Sequence, residues 1–297
     1  MDPRLETGSP VVRTRPDRCP GALRPWPADD GLLVRLRVPG GQVRSDSVTS
    51  LLDVADTYGD GRIHVTSRAN LQLRGLPGEA GQLPGDVLAA IEATGLLPSR
   101  THDVVRNVLA SPQTGRAGGR VDLRPLIRDL DSALLRDPQL GRLPGRFLFV
   151  LDDGRGDLVD RSCDLGLVAL DATLAQVRVG AGWGPVVALA DAVPVLTGLA
   201  RQFLAARGEG PGARWHVSEL AEPLVPAQEP HTNLPPGARA TSEQTRRPTP
   251  LPYGWVPGGR HVALAQGLDR PTWVSLRAAE EIVVTPWRGL LLPEEAS

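Results

Sequence analysis

Lysine is absent from this chain: all 33 basic residues among its 297 are arginine. No lysine Schiff base and no lysine general base is therefore available. Cysteine is almost absent, with only Cys19 and Cys163. Two thiols cannot build a disulfide framework or supply a four-thiolate cluster. An excess of one charge is missing too, since 33 basic residues face 34 acidic ones. Such a balance gives no field for nucleic acid or a membrane surface. The most apolar stretch, residues 186–206, is broken by Asp191, Pro194 and Arg201, which disqualifies it as a spanning helix. The Arg- and Pro-rich start, Met1 to Pro20, has no apolar core to act as a signal peptide. The five histidines are scattered without i,i+4 spacing, so no metal ligands are expected from them. The expected setting is the cytoplasm, with neither nucleic acid nor membrane as partner.

What the chain does have is an internal echo. Ile63-His64-Val65-Thr66-Ser67-Arg68, followed by Leu71-Gln72-Leu73, is matched by Ile282-Val283-Val284-Thr285-Pro286-Trp287-Arg288, followed by Leu290-Leu291-Leu292. Trp26 and Gly31 precede the first run as Trp255 and Gly259 precede the second. A duplicated unit constrains architecture more than a lone motif. Gly31 to Thr66 spans 35 positions and Gly259 to Thr285 spans 26, so the second copy needs a shorter helix. The two copies are expected to pack together as one domain, because neither has strands enough to bury its helix alone.

Between and around the copies, period and punctuation predict the elements. Leu32 to Val38 alternates as a strand turned by Pro39-Gly40-Gly41. Ser45 or Ser47 caps a helix with Val48, Leu51, Leu52, Ala55 and Tyr58 on one face. With the strand from Ile63 this forms a β-α-β half-unit of ferredoxin-like character. Helices are predicted over 86–97, stopped by Pro98, over 123–135, with Asp122 as cap, and over 193–206. Strands are predicted at 147–151, 165–170, 177–179 and 186–189. Eight prolines between Glu222 and Pro252 mark a linker or an extended crossing segment. The resulting order is a first half-domain at 20–78, an α/β lobe at 79–221, the Pro-rich linker at 222–252 and a second half-domain at 253–297.

Period-two alternation puts Ile63 and Val65 on one face and His64, Thr66 and Arg68 on the other. Hydroxyl and guanidinium groups there suit an anionic ligand, because arginine offers a bidentate fork for carboxylate or phosphate. Arg106 and Asn107, between apolar residues ahead of Ser111-Pro112, form a second candidate, and Arg146 at the mouth of a strand a third. No catalytic residue is identified, and residue order supports no Ser-His-Asp arrangement. Gly180-Ala181-Gly182-Trp183-Gly184 hints at a dinucleotide loop, and hence at a nucleotide-dependent enzyme. Pro185, however, stands where the third glycine of that fingerprint belongs, which favours a glycine-rich hairpin.

Taken in order, Thr66-x-Arg68 with Gln72, Val105-Arg106-Asn107-Val108 and Leu143-Pro144-x-Arg146-Phe147 resemble motifs of the sulfite and nitrite reductase superfamily. Cys19-Pro20-Gly21-Ala22 and Thr285-Pro286-Trp287-Arg288 narrow the resemblance to its precorrin-3B synthase branch, over roughly residues 18–293. The resemblance implies an α+β fold. Two ferredoxin-like half-domains pack side by side, with a larger α/β lobe between them in sequence and a tetrapyrrole at the lobes. It makes Arg68, Gln72, Arg106, Asn107, Arg146 and Arg288 the expected tetrapyrrole- and anion-binding residues, with Arg68, Arg106 and Arg146 converging. The reductases carry Lys-Phe-Lys where this chain has Arg146-Phe147-Leu148, and losing the second cation points toward the precorrin branch. The implied activity is oxygen-dependent hydroxylation of a precorrin with lactone formation, in aerobic cobalamin biosynthesis. The implied cofactors are a [4Fe–4S] cluster and a haem or non-haem iron. The family's Cys-x5-Cys and Cys-x3-Cys pairs have no counterpart here, so the expectation is a chain lacking the cluster lobe and not turning over alone. The alternatives are a non-catalytic tetrapyrrole-binding module, a subunit of a split enzyme whose cluster sits on a separate chain, or a nitrite/sulfite reductase-like protein.

Overall fold

A computed structural model describes residues 17, 19–239, 250–276 and 278–294. Most of the stretch before Pro20, and residues 240–249 of the Pro-rich segment, lie outside the described residues.

The repeat becomes two antiparallel sheets of the same strand order. In the first copy β1 (Trp26–Ala28), β2 (Gly31–Leu36), β4 (His64–Val65) and β5 (Leu71–Leu76) run in the order β1-β2-β5-β4. In the second, β11 (Gly254–Val256), β12 (Gly259–Ala263), β13 (Glu281–Thr285) and β14 (Gly289–Pro293) run β11-β12-β14-β13. The helix inside each copy differs as the spacing requires: α1 (Ser45–Tyr58) has 14 residues and α6 (Arg270–Leu276) has 7. The inner face of α1 is Val48, Leu51, Leu52, Val54 and Ala55, the 3.6-residue stripe of an amphipathic helix. Neither Ser45 nor Ser47 caps it, for the helix already starts at Ser45. Asp46 in the first turn accepts the Ser47 N–H instead.

The copies are stitched into one body. β3 (Gln42–Arg44) leaves the first copy and adds to the outer edge of the second sheet, antiparallel to β13. Ile63 and Leu268 exchange backbone hydrogen bonds at 2.9 and 2.8 Å. A single apolar core contains Val34, Leu51, Leu73 and Ile91 from the first part and Leu268, Ile282 and Leu290 from the second. Burying both helices against one shared core resolves the shortage of strands in each copy.

The lobe between them is a five-stranded sheet of order β10-β9-β8-β7-β6. β6 (Val108–Ala110), β7 (Phe149–Asp152) and β8 (Leu165–Ala169) are parallel, while β9 (Leu174–Val179) and β10 (Gly182–Ala188) form an antiparallel hairpin. That hairpin disposes of the nucleotide-loop reading: Gly180 at φ +59° turns directly from β9 into β10, and no helix N-terminus follows. α3 (Arg124–Arg136) and α4 (Ala192–Ala206) cover the sheet through Leu130, Leu134, Leu196 and Phe203. α2 (Gly85–Ala93) stops short of Leu97, because Gly95 turns at φ +74° and the Thr94 hydroxyl donates back to the Ile91 carbonyl. Asp122 accepts the Arg124 N–H, so it stands beside the start of α3 and not at its cap position.

The Pro-rich segment is not a free linker where it is described. Gln228 and His231 hydrogen-bond to Trp183 and Gln176 of the lobe. Leu234, just before the one-turn α5 (Pro236–Arg239), is buried against Val168 and Leu170. No helix among the described residues is long and apolar enough to cross a membrane.

Candidate functional site

Arg68 reaches the site from a turn. The strand that starts at Ile63 breaks after Val65, because Thr66 captures the next backbone groups. Its carbonyl accepts the Ala69 N–H at 3.1 Å, its Oγ1 the Asn70 N–H at 3.1 Å, and Ala69 sits at φ +54°. The expected strand face of His64, Thr66 and Arg68 is therefore not formed. His64 instead pairs with Asp60 at 2.7 Å. Arg68 projects to the lobe, where its Nη1 donates to the Arg146 carbonyl at 3.0 Å.

The Arg68 and Arg146 side chains line one cavity of about 270 Å³ with Leu148, Cys163, Asp164, Trp215 and His216. The Arg146 guanidinium lies over the Trp215 ring, 5.9 Å from its centroid, within cation–π range. Asp164, 1% exposed, accepts the Leu148 N–H at 2.9 Å and the Val217 N–H at 3.1 Å. One carboxylate thus ties together the two walls of the cavity. Burial pushes Asp164 up to about 6 and lowers the Arg68 guanidinium from its usual value. Cys163 is buried, its thiol bonded to the Gly180 carbonyl and pushed up to about 11 by desolvation. It behaves as a core residue.

Arg106 does not join this pair. It stands at φ +66° and forks onto Asp131 of α3, Nε to Oδ1 at 2.6 Å and Nη2 to Oδ2 at 2.8 Å. It lines a different cavity, with Arg37, Arg128 and Glu281. The expectation of three converging arginines is corrected to two, because a carboxylate one helix away satisfies the third. Asn107 and Gln72 act inside the protein. Asn107 Nδ2 donates to the Gly145 carbonyl and its Oδ1 accepts from Asn70, which fixes the turn that carries Arg146. Gln72 Oε1 accepts from Arg35. Arg288 is exposed in the second copy's turn and lines neither cavity.

Two residues were missed. Arg35 and Arg37 alternate on β2 and just beyond it, opposite the buried Val34 and Leu36. Arg37 is 2% exposed, and its Nη1 donates to the Pro20 carbonyl, yet among the described residues its Nε and Nη2 have no partner; neither does Arg35 Nε. Burial holds the Arg37 pKa down to about 10, so it stays charged at neutral pH. Buried unpaired donors are rare and call for a reason. The same alternation argument, applied to Leu32–Val38, would have found both.

The fit of an iron–sulfur cluster is poor. Cys19 and Cys163 are both free thiols, and among the described residues no group of three or more His, Cys, Asp or Glu side chains is placed to hold a metal ion. A four-iron cluster needs about four thiolates, so no step is assigned through one.

Residues 27–80 match the nitrite/sulfite reductase ferredoxin-like half domain. The chain is 34% identical to a ferredoxin–nitrite reductase of Leptolyngbya laminosa over 122 residues, 39% of this chain and 23% of the relative. It is 32% identical to a precorrin-3B synthase of Sinorhizobium sp. over 178 residues, 58% of this chain and 35% of that protein. Its fold resembles that of the Mycobacterium tuberculosis NirA protein, with a TM-score of 0.59 at 15% identity, covering 91% of this chain and 57% of NirA. The matched stretches thus span about a third or less of the curated relatives' own length.

Proposed function

For a chain that belongs to the nitrite and sulfite reductase superfamily, we propose a role as a tetrapyrrole-binding protein of the precorrin-3B synthase kind, in cobalamin biosynthesis. Its Arg68–Arg146 cavity would grip a peripheral carboxylate of the macrocycle. The observation that carries this reading is the meeting of Arg68, from the first half-domain, and Arg146, from the lobe, in one cavity. At about 270 Å³ the cavity suits a carboxylate; sites that bury a whole drug-sized ligand run to ~300–1,000 Å³.

The residues divide the work by chemistry. Arg68 and Arg146 bind and orient the carboxylate, Trp215 gives one flat wall, and Asp164 holds both walls in place. Leu148 lines the cavity where a second cation would favour a small inorganic anion. That apolar wall favours the precorrin branch over sulfite or nitrite chemistry. When bound, a redox centre would supply the electrons of an oxidoreductase; with two cysteines, this polypeptide does not itself supply the thiolates of a cluster. Orientation of the macrocycle is the part its own residues perform.

The test is fluorescence titration of the purified chain with a polycarboxylate porphyrin. One charge-assisted bond is worth roughly 1.5–3 kcal/mol, so Arg68→Ala and Arg146→Ala should each weaken binding about tenfold to a hundredfold. Unchanged affinity in both variants overturns the assignment. Conversion of a precorrin by the 297-residue chain alone would show that a redox site among its residues has been overlooked.

A further inference from the structure

His216 shares the cavity with the two arginines and is wired to a buried carboxylate. Its Nε2 donates to the Cys163 carbonyl at 3.0 Å and lies 3.6 Å from Asp164 Oδ1. On the other side of the ring, Nδ1 accepts the Ser218 N–H at 3.1 Å and stands 2.7 Å from the Ser218 hydroxyl. These contacts make Nε2 the donor and Nδ1 the acceptor of a ring that is one third exposed. His216 and Ser218 both line the cavity beside Arg68 and Arg146. Nothing in the sequence pointed to them, because His216 is 148 and 70 positions away from those arginines.

We propose that His216 is a third, proton-controlled member of the anion site, taking up a proton as an anion settles between Arg68 and Arg146. The proposal rests on reading that cavity as an anion site. Every charged group around the ring bears on the balance. Arg68 enters from the turn after β4 and Arg146 from the approach to β7, and both oppose a positive imidazole. Asp164, ahead of β8, favours it from the Nε2 side. Glu219 is next along the 3-10 turn at 217–219, and its carboxylate accepts the Trp215 N–H. Arg178 of β9 faces the Cys163 side and donates to the Arg161 carbonyl.

Without an anion, a protonated ring would face two guanidinium groups and give up the Ser218 N–H. An anion between the arginines reverses the first term, while the Ser218 hydroxyl accepts the new Nδ1–H and Asp164 balances the charge behind it. Two coupled equilibria follow: the anion raises the proton affinity of His216, and a lower pH tightens the anion. The buried Asp164 carboxyl, raised to about 6, joins the titration at the acid end.

Sulfate is the probe, because it keeps both charges across the range and so any pH effect belongs to the protein. Its dissociation constant should fall about tenfold between about pH 8 and about pH 5.5, the most that one linked proton gives over its titration range being about tenfold per unit. His216→Gln, which keeps an acceptor for the Ser218 N–H, should lose most of that pH dependence, retaining only what the Asp164 carboxyl contributes near about pH 6. Calorimetry in buffers of different ionisation enthalpy should register clearly more proton uptake in the wild type than in His216→Gln. If His216→Gln fails to fold, NMR titration of the wild-type His216 ring decides, its pKa rising when sulfate is saturating. A wild-type affinity that ignores pH, the full wild-type slope retained in His216→Gln, or a ring pKa unmoved by sulfate overturns the proposal. Absence of sulfate binding at every pH, or binding untouched by Arg146→Gln, instead overturns the anion-site reading beneath it.

Discussion

Ala69 and Arg288 occupy the same place in two copies of one turn. Each has a positive φ, +54° and +59°, and each donates its N–H to the carbonyl of a threonine three residues earlier, Thr66 or Thr285. The next residue, Asn70 or Gly289, donates to that threonine's hydroxyl. The structural partner of Arg68 is therefore Trp287. The threonine recurs because it builds the turn, and the two arginines recur in adjacent positions that point to different surroundings.

Arg288→Ala should accordingly leave porphyrin affinity within about twofold of the wild type, an exposed arginine away from the cavity contributing little. Arg68→Ala is its control. Equal losses in the two variants, measured by the same fluorescence titration, would restore the idea of two equivalent arginines and remove the turn register argued above.

Arg106→Ala should be a stability variant. Its guanidinium is bidentate to Asp131 and little exposed. Breaking a buried pair by removing one partner costs about 3 kcal/mol, which urea denaturation would read as a lower midpoint with an unchanged slope. Folding as tightly as the wild type while losing porphyrin would place Arg106 in the ligand site after all.

Gly41→Ala should uncouple the two half-domains. Gly41 lies at φ +74°, and a Cβ there would run into the Val284 carbonyl oxygen, just where β3 joins β13. Strain and clash together should cost more than about 2 kcal/mol. Hydrogen exchange should show the loss first at Val43 and Val283. A variant with wild-type protection at that junction would contradict the close approach.

Stability should fall as pH rises through the neutral range, and Asp157→Asn should flatten that fall. Burial, then the nearby Asp152 charge, push Asp157 from the ordinary 3.8 up to about 8. The folded state then holds a proton that the unfolded state has lost, so this contribution is fully present below about pH 4 and lost as pH climbs through about 8. Asparagine keeps an acceptor for the Ser111 hydroxyl, which bonds Asp157 at 2.7 Å, and has no charge to bury. Identical pH profiles of thermal unfolding for the two proteins would mean that Asp157 ionises normally in the fold.

Much of the architecture was legible in local pattern. The duplicated strands, the stripe of α1, the shorter second helix and the Gly180 hairpin all follow from period and turn chemistry, which act over a few residues. The α+β class and the superfamily came by a different route, from the resemblance carried by the motifs around Thr66, Arg106 and Arg146. What a strand pattern could not show was its own interruption: Ile63 to Leu73 alternates well enough, but the Thr66 side chain and the φ of Ala69 turn the chain inside it. Nor could residue types tell a ligand-facing arginine from a satisfied one. Arg68, Arg106 and Arg146 look alike in sequence, and only tertiary packing sets Asp131 against one and leaves the other two around a cavity. His216 is the extreme case, since it reaches the site from a 3-10 turn that no periodicity marks. Sequence by itself determined which elements form, because those choices rest on neighbours along the chain. The tertiary structure decided which charges meet, because that depends on residues brought together from far apart.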